Sequence, residues 1–183
     1  VSVIDGTPVP LDRVNHVFEI GIDGENLRDL TPGLDSSAAA GDFYWDLSAD
    51  AGALVFSAPD ARFPDLAVDH PKFTSDGHIL FGRRLTPEAL HEHTRLFQYS
   101  PQDETFTELY AEQSLSPEEW LATPSGFVYF TAEEHGKRNV YRIGRQGGKA
   151  RVVIEGGAVS DLQMLKDGRI VFRRESISHP PEL

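Results

Sequence analysis

The amino-acid sequence predicts an all-β protein, and three observations carry this prediction. One apolar strand pattern occurs four times, and each copy passes through a short polar stretch with a glycine into a strand that ends at phenylalanine. Further strand-turn-strand segments lie between these copies. Two of the three intervals between the turn glycines, 49 and 42 residues, match the length of one propeller blade. We therefore expect a partial β-propeller of four-stranded antiparallel blades, about three to four in number with one shortened.

The repeated unit is a β-hairpin. Asp76-Gly77 and Asp167-Gly168 are turn dipeptides in which glycine takes the positive φ, and Ser125-Gly126 fills the same place in a third copy. The apolar runs HILF and RIVF that follow two of these turns predict strands covered on both faces. The four copies are WDLSADAGALVF, FTSDGHILF, WLATPSGFVYF and LQMLKDGRIVF, at residues 45–56, 73–81, 120–130 and 162–172.

A second kind of hairpin is expected outside the first, at residues 15–31, 95–110 and 138–156. Two hairpins in succession make a four-stranded blade. Residues 57–72 contain prolines and leave little room for an outer hairpin, so this blade is expected to be two-stranded or shortened by a deletion. An arc of such blades leaves open edges. We therefore expect residues 1–183 to form one propeller segment of a longer chain, whose open edges could also join copies into a homo-oligomer.

Charge and composition exclude several classes of partner. The chain holds 17 Lys and Arg against 29 Asp and Glu, a formal charge of −12, which argues against binding to nucleic-acid phosphates. No run approaches the roughly 18 to 20 apolar residues of a membrane helix, so no membrane partner is expected. The absence of cysteine excludes disulfides and thiolate metal sites. It also fits a reducing compartment, and we expect a cytoplasmic protein, with secretion or a periplasmic location left open.

Histidines and tryptophans are assigned structural roles. His91 and His93 are two residues apart without a third ligand nearby, so we expect no metal site and no cofactor. The surrounding LTPEALHEH segment, residues 85–93, predicts a short helical insertion. Trp45 and Trp120 open two of the hairpins, where we expect them to fill space between blades.

The longest passages resemble a known family. The blade pattern of a TSDG turn (74–77), an NVYRI strand (139–143) and an LTPG ending (30–33) resembles the propeller repeats of the prolyl oligopeptidase family and of Tol-type translocation proteins. DHPKFTSDGHILF (69–81) and DLQMLKDGRIVFRRESISHPPEL (161–183) are similar to segments of its dipeptidyl-peptidase and acylaminoacyl-peptidase branch. The resemblance covers residues 15–183.

The resemblance implies a serine peptidase whose propeller covers a C-terminal α/β-hydrolase domain, limits entry to short peptides and contacts the N-terminal part of the substrate. That hydrolase domain is absent here. The sequence contains no G-x-S-x-G nucleophile motif, since GAVSD at 157–161 and TPSGF at 123–127 both depart from it. No catalytic residue is therefore assigned, and whether the parent protein is an enzyme is left open. The shortened blade departs from the family's regular ring.

Candidate binding residues lie where the repeated hairpins end. By repeat equivalence, the segments after the closing phenylalanines should exit as loops on one rim of the arc. Glu133 and Glu134 could hold the α-amino group of a peptide, and an arginine could bind a carboxylate or a peptide carbonyl. The arginine candidates at this rim are Arg83, Arg84, Arg173 and Arg174.

Two functions are consistent with these features. The first is the non-catalytic propeller portion of a dipeptidyl- or acylaminoacyl-peptidase-like enzyme, which gates and binds short peptides beside its hydrolase domain. The alternative is a propeller module of the translocation or scaffold kind, which binds proteins or peptides without a hydrolase domain.

Overall fold

The computed structural model describes residues 2–4, 7–9, 16–32, 44–48, 50, 52–57, 68–83, 93–110, 115–176 and 179–182. Every regular element within these ranges is a β-strand. The chain divides into two compact units. Unit 1 consists of Val1–Phe43 with Ala58–Pro64, and unit 2 of Tyr44–Ser57 with Asp65–Leu183.

Unit 1 contains two short antiparallel hairpins in its described part. Strands β1 and β2 pair with each other, as do β3 and β4. The second hairpin is stabilised at its open end, where His16 Nδ1 lies 2.7 Å from Asp29 Oδ2 and the Val17 amide donates to Thr31 Oγ1 at 3.1 Å. The four strands are β1 (Ser2–Ile4), β2 (Thr7–Val9), β3 (Phe18–Glu19) and β4 (Arg28–Asp29).

Unit 2 begins with two antiparallel sheets. The first is the two-stranded sheet of β5 and β6. The second has four strands in the order β10-β9-β8-β7, so each strand neighbours the next one in the chain. These strands are β5 (Trp45–Leu47), β6 (Leu54–Phe56), β7 (Val68–Phe73), β8 (Ile79–Arg83), β9 (Arg95–Ser100) and β10 (Thr105–Glu108).

The third sheet of unit 2 has seven strands, and none of the described sheets is closed. Its first four strands, β11 to β14, again pair in chain order. The last three, β15 to β17, join them through one parallel pairing of Arg138 with Ala158. The strands are β11 (Pro117–Ala122), β12 (Phe127–Glu134), β13 (Lys137–Gly144), β14 (Arg151–Ile154), β15 (Ala158–Met164), β16 (Ile170–Ser176) and β17 (His179–Glu182).

The predicted hairpins are all present, which confirms the all-β class. The four repeated copies form the antiparallel pairs β5–β6, β7–β8, β11–β12 and β15–β16. The first and third copies share a register, since Trp45 faces Phe56 and Trp120 faces Phe130. In the second and fourth copies a register shift falls at the closing phenylalanine. The three predicted outer hairpins correspond to β3–β4, β9–β10 and β13–β14. Turn glycines 77, 126 and 168 have φ of 82°, 82° and 85°, the region that glycine enters without a steric penalty.

The core of unit 2 lies between the sheet β7–β10 and the strands β11–β14. Leu80 and Leu96 are fully buried on one face of the first sheet, and Val128 and Phe130 are fully buried in the same cluster. Because side chains alternate across a strand, each of these pairs comes from one face of its sheet. Two sheets therefore bury their apolar faces against each other.

Three local predictions were wrong. Trp45 is 47% exposed, although Trp120, its counterpart in the repeat, is only 5% exposed. Val171 in the RIVF run is 42% exposed, so strand β16 is not covered on both faces. The predicted exit loops are strands where they are described: Arg83 ends β8, β12 continues through Glu133 and Glu134 into a tight turn, and β16 continues through Arg173 and Arg174. The predicted helical insertion at 85–93 and most of the shortened blade lie outside the described residues, apart from His93.

An arginine ties two sheets of unit 2 together. Arg145, just after β13, donates from Nη1 to Asp76 Oδ2 at 2.7 Å and from Nε to Gln98 Oε1 at 2.8 Å. Asp76 lies in the β7–β8 turn and Gln98 in β9. Partial burial disfavours ionisation of Asp76. The hydrogen bonds from Arg145 and Thr74 and the positive charge of Arg145 outweigh it, and they hold the pKa of this carboxyl well below its usual range.

The low pKa of Asp76 predicts that acid destabilises the folded protein. A carboxyl whose pKa is lower in the folded than in the unfolded state stabilises the fold above the unfolded pKa, and this contribution is lost as pH falls. We expect the free energy of unfolding to decrease between about pH 5 and pH 2, and Asp76→Asn to flatten that part of the profile. Asp167→Asn is the matched control, since its partner Arg169 is 75% exposed in the equivalent turn. Equal flattening by both variants in urea titrations at several pH values would contradict this role for Asp76.

Candidate functional site

The two candidate carboxylates lie beside a tight hairpin turn. Strands β12 and β13 pair continuously up to Glu134 and Lys137, so only two residues form the turn between them. These are His135 and Gly136, with φ of 51° and 72°. Positive φ at both central positions is the signature of the turn that matches the twist of a hairpin. The turn projects Glu133 and Glu134 at the end of the strand, and both are exposed.

Glu134 is already engaged by a neighbouring strand. The Tyr141 hydroxyl donates to its Oε2 at 2.9 Å, and Asn139 Nδ2 lies 3.3 Å from the same hydroxyl. Burial raises the pKa of the Tyr141 phenol, the Asn139 hydrogen bond opposes this, and the nearby Glu134 carboxylate adds to it. Tyr141 therefore stays a neutral donor that orients Glu134. Glu133 faces Arg138 across the strand pair.

Arg83 ends strand β8. It is opposite Arg95 in the neighbouring strand and Val68 in the other. Its Nε atom is buried and has no hydrogen-bond partner among the described residues. Arg84, the next candidate, lies outside the described residues.

Arg173 and Arg174 are neighbours in β16, so their side chains leave the sheet on opposite faces. Arg173 donates from Nε to Ser160 Oγ at 3.1 Å, and the same atom lies 3.2 Å from Asp161 Oδ2. Arg174 Nη2 donates to the Glu155 carbonyl oxygen at 3.4 Å. Arg173 is about half exposed, at 48% of its side chain. Within the described part of the chain, no ion pair joins Glu133 or Glu134 to Arg83, Arg173 or Arg174.

Three strands of unit 2 contain irregular positions, and one of these positions lies beside Arg173. Strands β7, β11 and β15 each contain a register shift, between Asp69 and Lys72, Pro117 and Trp120, and Ser160 and Gln163. The residues displaced at equivalent positions are His70, Glu119 and Asp161, which we call the bulge row. Bulges of this kind re-aim side chains at the rims of β structures and next to active sites.

Each residue of the bulge row contacts a neighbouring sheet or strand. The His70 ring lies 3.7 Å from the Tyr44 ring, and its carbonyl accepts from Trp120 Nε1 at 3.0 Å. Glu119 Oε2 accepts from the Leu162 amide of β15 at 3.3 Å. The contacts of the bulge row therefore extend from Tyr44, just before β5, to Leu162 in β15.

Two members of the row have strained backbones. His70 has a φ of 47° and Asp161 a φ of 58°. Non-glycine residues adopt such conformations rarely, and those that do concentrate at functional sites. Asp161 is the residue that holds Arg173, so the structure brings one predicted site residue to the bulge row.

The chemistry available here is recognition of polar groups. Arg173 makes its polar contacts with Ser160 and Asp161 through Nε, and its side chain is 48% exposed. A guanidinium held at Nε can donate from its two Nη groups to a carboxylate or a carbonyl. No group of three or more His, Cys, Asp or Glu residues suited to a metal ion occurs in the described ranges.

Sequence patterns missed the bulge row, although they contain a signal for it. His70, Glu119 and Asp161 each lie four residues before the residue that opens the hairpin turn, namely Thr74, Thr123 and Leu165. A polar residue occupies this distance in all three repeats, so the position becomes visible only when the repeats are compared with one another.

Neither the protein-family models nor the curated proteins contain a match to this chain. Its resemblance to the prolyl oligopeptidase family therefore stays a prediction from the sequence, based chiefly on residues 69–81 and 161–183. Of the described residues, none forms a helix long and apolar enough to cross a membrane.

Proposed function

We propose that this chain is an arc of a β-propeller that binds and admits short peptides beside the hydrolase domain of a serine peptidase of the dipeptidyl- or acylaminoacyl-peptidase kind. In this role the arc contributes contacts and no chemistry. The nucleophile and its triad would belong to the partner domain. Arg173 would bind a carbonyl or carboxylate of the peptide, and Glu133 its α-amino group.

The repeated hairpin supports the propeller part of this proposal. The four-stranded sheet β7–β10 and the strands β11–β14 have the same strand order, turn position and outer hairpin. Their first strands both carry a bulge, and the two bulges differ by one residue in their distance from the turn. Propellers repeat such sheets radially, which leaves only short and protected sheet edges.

One observation carries the binding part, and it is the fixed guanidinium of Arg173. Asp161, held at an unusual φ in a bulge, and Ser160 immobilise Nε, while the rest of the group stays half exposed. An ion pair that only served stability at a surface would contribute little, about 0 to 1 kcal/mol. Pre-organisation of an arginine by strained backbone is instead typical of a site that binds a ligand.

The test is peptide binding by the purified chain. Two tripeptides of the same sequence, one with a free α-amine and one N-acetylated, are titrated and followed by changes in backbone amide NMR signals. We expect signals of Arg173, Asp161 and Glu133 to shift. Arg173→Ala should weaken binding about tenfold or more, since hydrogen bonds to charged groups contribute about 1.5 to 3 kcal/mol.

Arg169→Ala is the matched control, because Arg169 lies in the same hairpin and pairs with Asp167 in the exposed turn. It should leave binding unchanged. A preference for the free amine that Glu133→Gln abolishes would favour the dipeptidyl-peptidase branch, and a preference for the acetylated peptide the acylaminoacyl branch. Absence of binding at millimolar peptide, or equal loss in both arginine variants, would overturn the binding role. Release of a chromogenic amine by the chain alone would overturn the non-catalytic assignment.

The alternative, a propeller module that binds proteins without a hydrolase domain, makes a different prediction for the same titration. Longer extended segments would bind in preference to tripeptides by adding a strand to an exposed sheet edge. Val152 and Val153 in β14, the outermost strand of its hairpin, are 47% and 43% exposed and offer such an edge. Binding that moved β14 signals and ignored Arg173→Ala would favour this module.

A further inference from the structure

The contact between two sheets of unit 2 has a defined centre. The Trp120 ring of β11 lies over Gly82 of β8, where an added Cβ would overlap the ring. Its Nε1 donates to the His70 carbonyl oxygen at 3.0 Å. Leu80, two residues before Gly82 and on the same face of β8, is fully buried. A tryptophan from one sheet is thus seated on the second strand of the preceding sheet.

The first sheet of unit 2 presents a tryptophan at the same repeat position, and this one is about half exposed. Trp45 lies opposite the closing Phe56, as Trp120 lies opposite Phe130. The alternation of β5 places Leu47 on the same face. Trp45 is 47% exposed and Leu47 is 39% exposed. This face therefore repeats the half of the contact that carries the tryptophan, and both of its apolar side chains are partly exposed.

The last repeated hairpin has the counterparts of Leu80 and Gly82, but it has no tryptophan packed on them. Val171 and Arg173 follow the pattern of Leu80 and Gly82, since each pair flanks the closing phenylalanine of its strand. Val171 is 42% exposed, whereas Leu80 is fully buried. Arg173 is about half exposed. Unit 2 thus exposes two complementary sheet faces, one on β5–β6 and the other on β15–β16.

We propose that a second copy of this chain covers these faces, with Trp45 of one copy seated on Val171 and Arg173 of the next. The occupant is inferred from the molecule's own internal contact, since each face is the counterpart of one half of it. The two faces differ, so the contact is head-to-tail, and such contacts close into a ring or continue as a filament. The proposal does not depend on the proposed peptide-binding function.

Arg173 changes the details of the contact without preventing it. Gly82 lets the Trp120 ring lie directly on the backbone of β8. At the equivalent position of β16, the side chain of Arg173 prevents such a close approach of a tryptophan ring. Its guanidinium, fixed by Ser160 and Asp161, offers a flat cationic surface in its place. Arginine stacked on the face of tryptophan is a favourable cation–π pair, and tryptophan and arginine dominate binding energy at interfaces.

Molar mass against concentration tests the proposal. Light scattering and sedimentation velocity should give a mass for the full chain that rises with concentration. Trp45→Ala and Arg173→Ala should each raise the dissociation constant about tenfold or more, as expected for central interface residues. Ile22→Ala is the control for loss of an exposed apolar side chain, since Ile22 is fully exposed in unit 1. It should leave the mass unchanged.

Tryptophan fluorescence gives a second readout that does not depend on the fold of a variant. The chain has only two tryptophans, and Trp120 is already buried. On concentration, wild-type emission should shift to shorter wavelength as Trp45 loses water. Trp45→Phe should show no such shift, because Trp120 remains in place at all concentrations.

Three outcomes would overturn the proposal. These are a concentration-independent monomer mass, association that Trp45→Ala leaves intact, and association without a change in Trp45 emission. The variants also separate this surface from the proposed peptide site. Arg173 belongs to both, so peptide is titrated into dilute, unassociated protein. There Trp45→Ala should bind tripeptides as the wild type does, although it weakens association, so failure of one proposal leaves the other standing.

Discussion

Replacement of Trp120 by alanine is expected to lower the free energy of unfolding by about 3 to 5 kcal/mol. The ring is 5% exposed, belongs to the core between the two larger sheets of unit 2, and holds the β7 bulge through its hydrogen bond to the His70 carbonyl. Domains of this size are stabilised by only about 5 to 15 kcal/mol, so the variant should lose a large fraction of its stability. Urea denaturation followed by circular dichroism measures the loss.

Trp45→Ala is the comparison that makes this result specific. Trp45 occupies the same repeat position but is about half exposed, so its loss should change the unfolding free energy of dilute protein by less than about 1 kcal/mol. Trp120→Phe should fall between the two, since it keeps most of the apolar volume and loses the Nε1 donor. Equal destabilisation by Trp45→Ala and Trp120→Ala would contradict this expectation, because burial of the ring would then not determine its contribution to the free energy of unfolding.

The second large effect is expected from Gly82→Ala. Its Cβ would lie 2.8 Å from Thr94 Cγ2 and still closer to the Trp120 ring. Overpacking of this kind typically costs about 1 to 3 kcal/mol, which exceeds the stabilisation of about 0.4 to 1 kcal/mol that Gly→Ala brings through the unfolded chain. Thermal and urea denaturation should both show the loss. The energetic effect should shrink when Trp120 is already alanine, because the two positions share one contact.

Gly144→Ala supplies the matched control for a strand glycine. The nearest atom to its added Cβ is the Gly147 carbonyl oxygen at 3.7 Å, an ordinary contact, and Gly144 is not among the glycines with positive φ. We expect a neutral or slightly stabilising change. If Gly82→Ala proved equally neutral, the close contact between the Trp120 ring and Gly82 of β8 would be refuted.

Sequence patterns predicted the local structure well because hairpins depend on short-range signals. The Asp-Gly and Ser-Gly turns required positive φ, and the structure has it at glycines 77, 126 and 168. The exposure of Trp45 could not be predicted in the same way, because Trp45 and Trp120 share the same local pattern. Burial is decided by whether another sheet covers the face, which is a non-local property.

The candidate site was predicted only in part for a related reason. Arg173 was found because repeat equivalence identified the residues that follow the closing phenylalanine, but its partner Asp161 was missed. A bulge arises when two strands of different effective length are paired, so it depends on both strands and cannot be read from one of them. The contact between Tyr141 and Glu134 is more local. The His135-Gly136 dipeptide is a sequence signal for the tight turn that pairs β12 with β13, the strands that carry Glu134 and Tyr141.

The single pairing of Arg138 with Ala158 has a consequence for how such a chain can change over evolutionary time. Strands β11 to β14 and strands β15 to β17 form separate antiparallel ladders, and their backbones meet at this one bridge. A duplication or deletion of coding sequence with its boundary near residue 157 would leave both ladders intact and disturb one backbone pairing. Chains built from repeats in contact only with their neighbours tolerate such gains and losses of whole units. The bridge is thus a natural breakpoint at which the number of hairpins can vary between descendants of one ancestral gene.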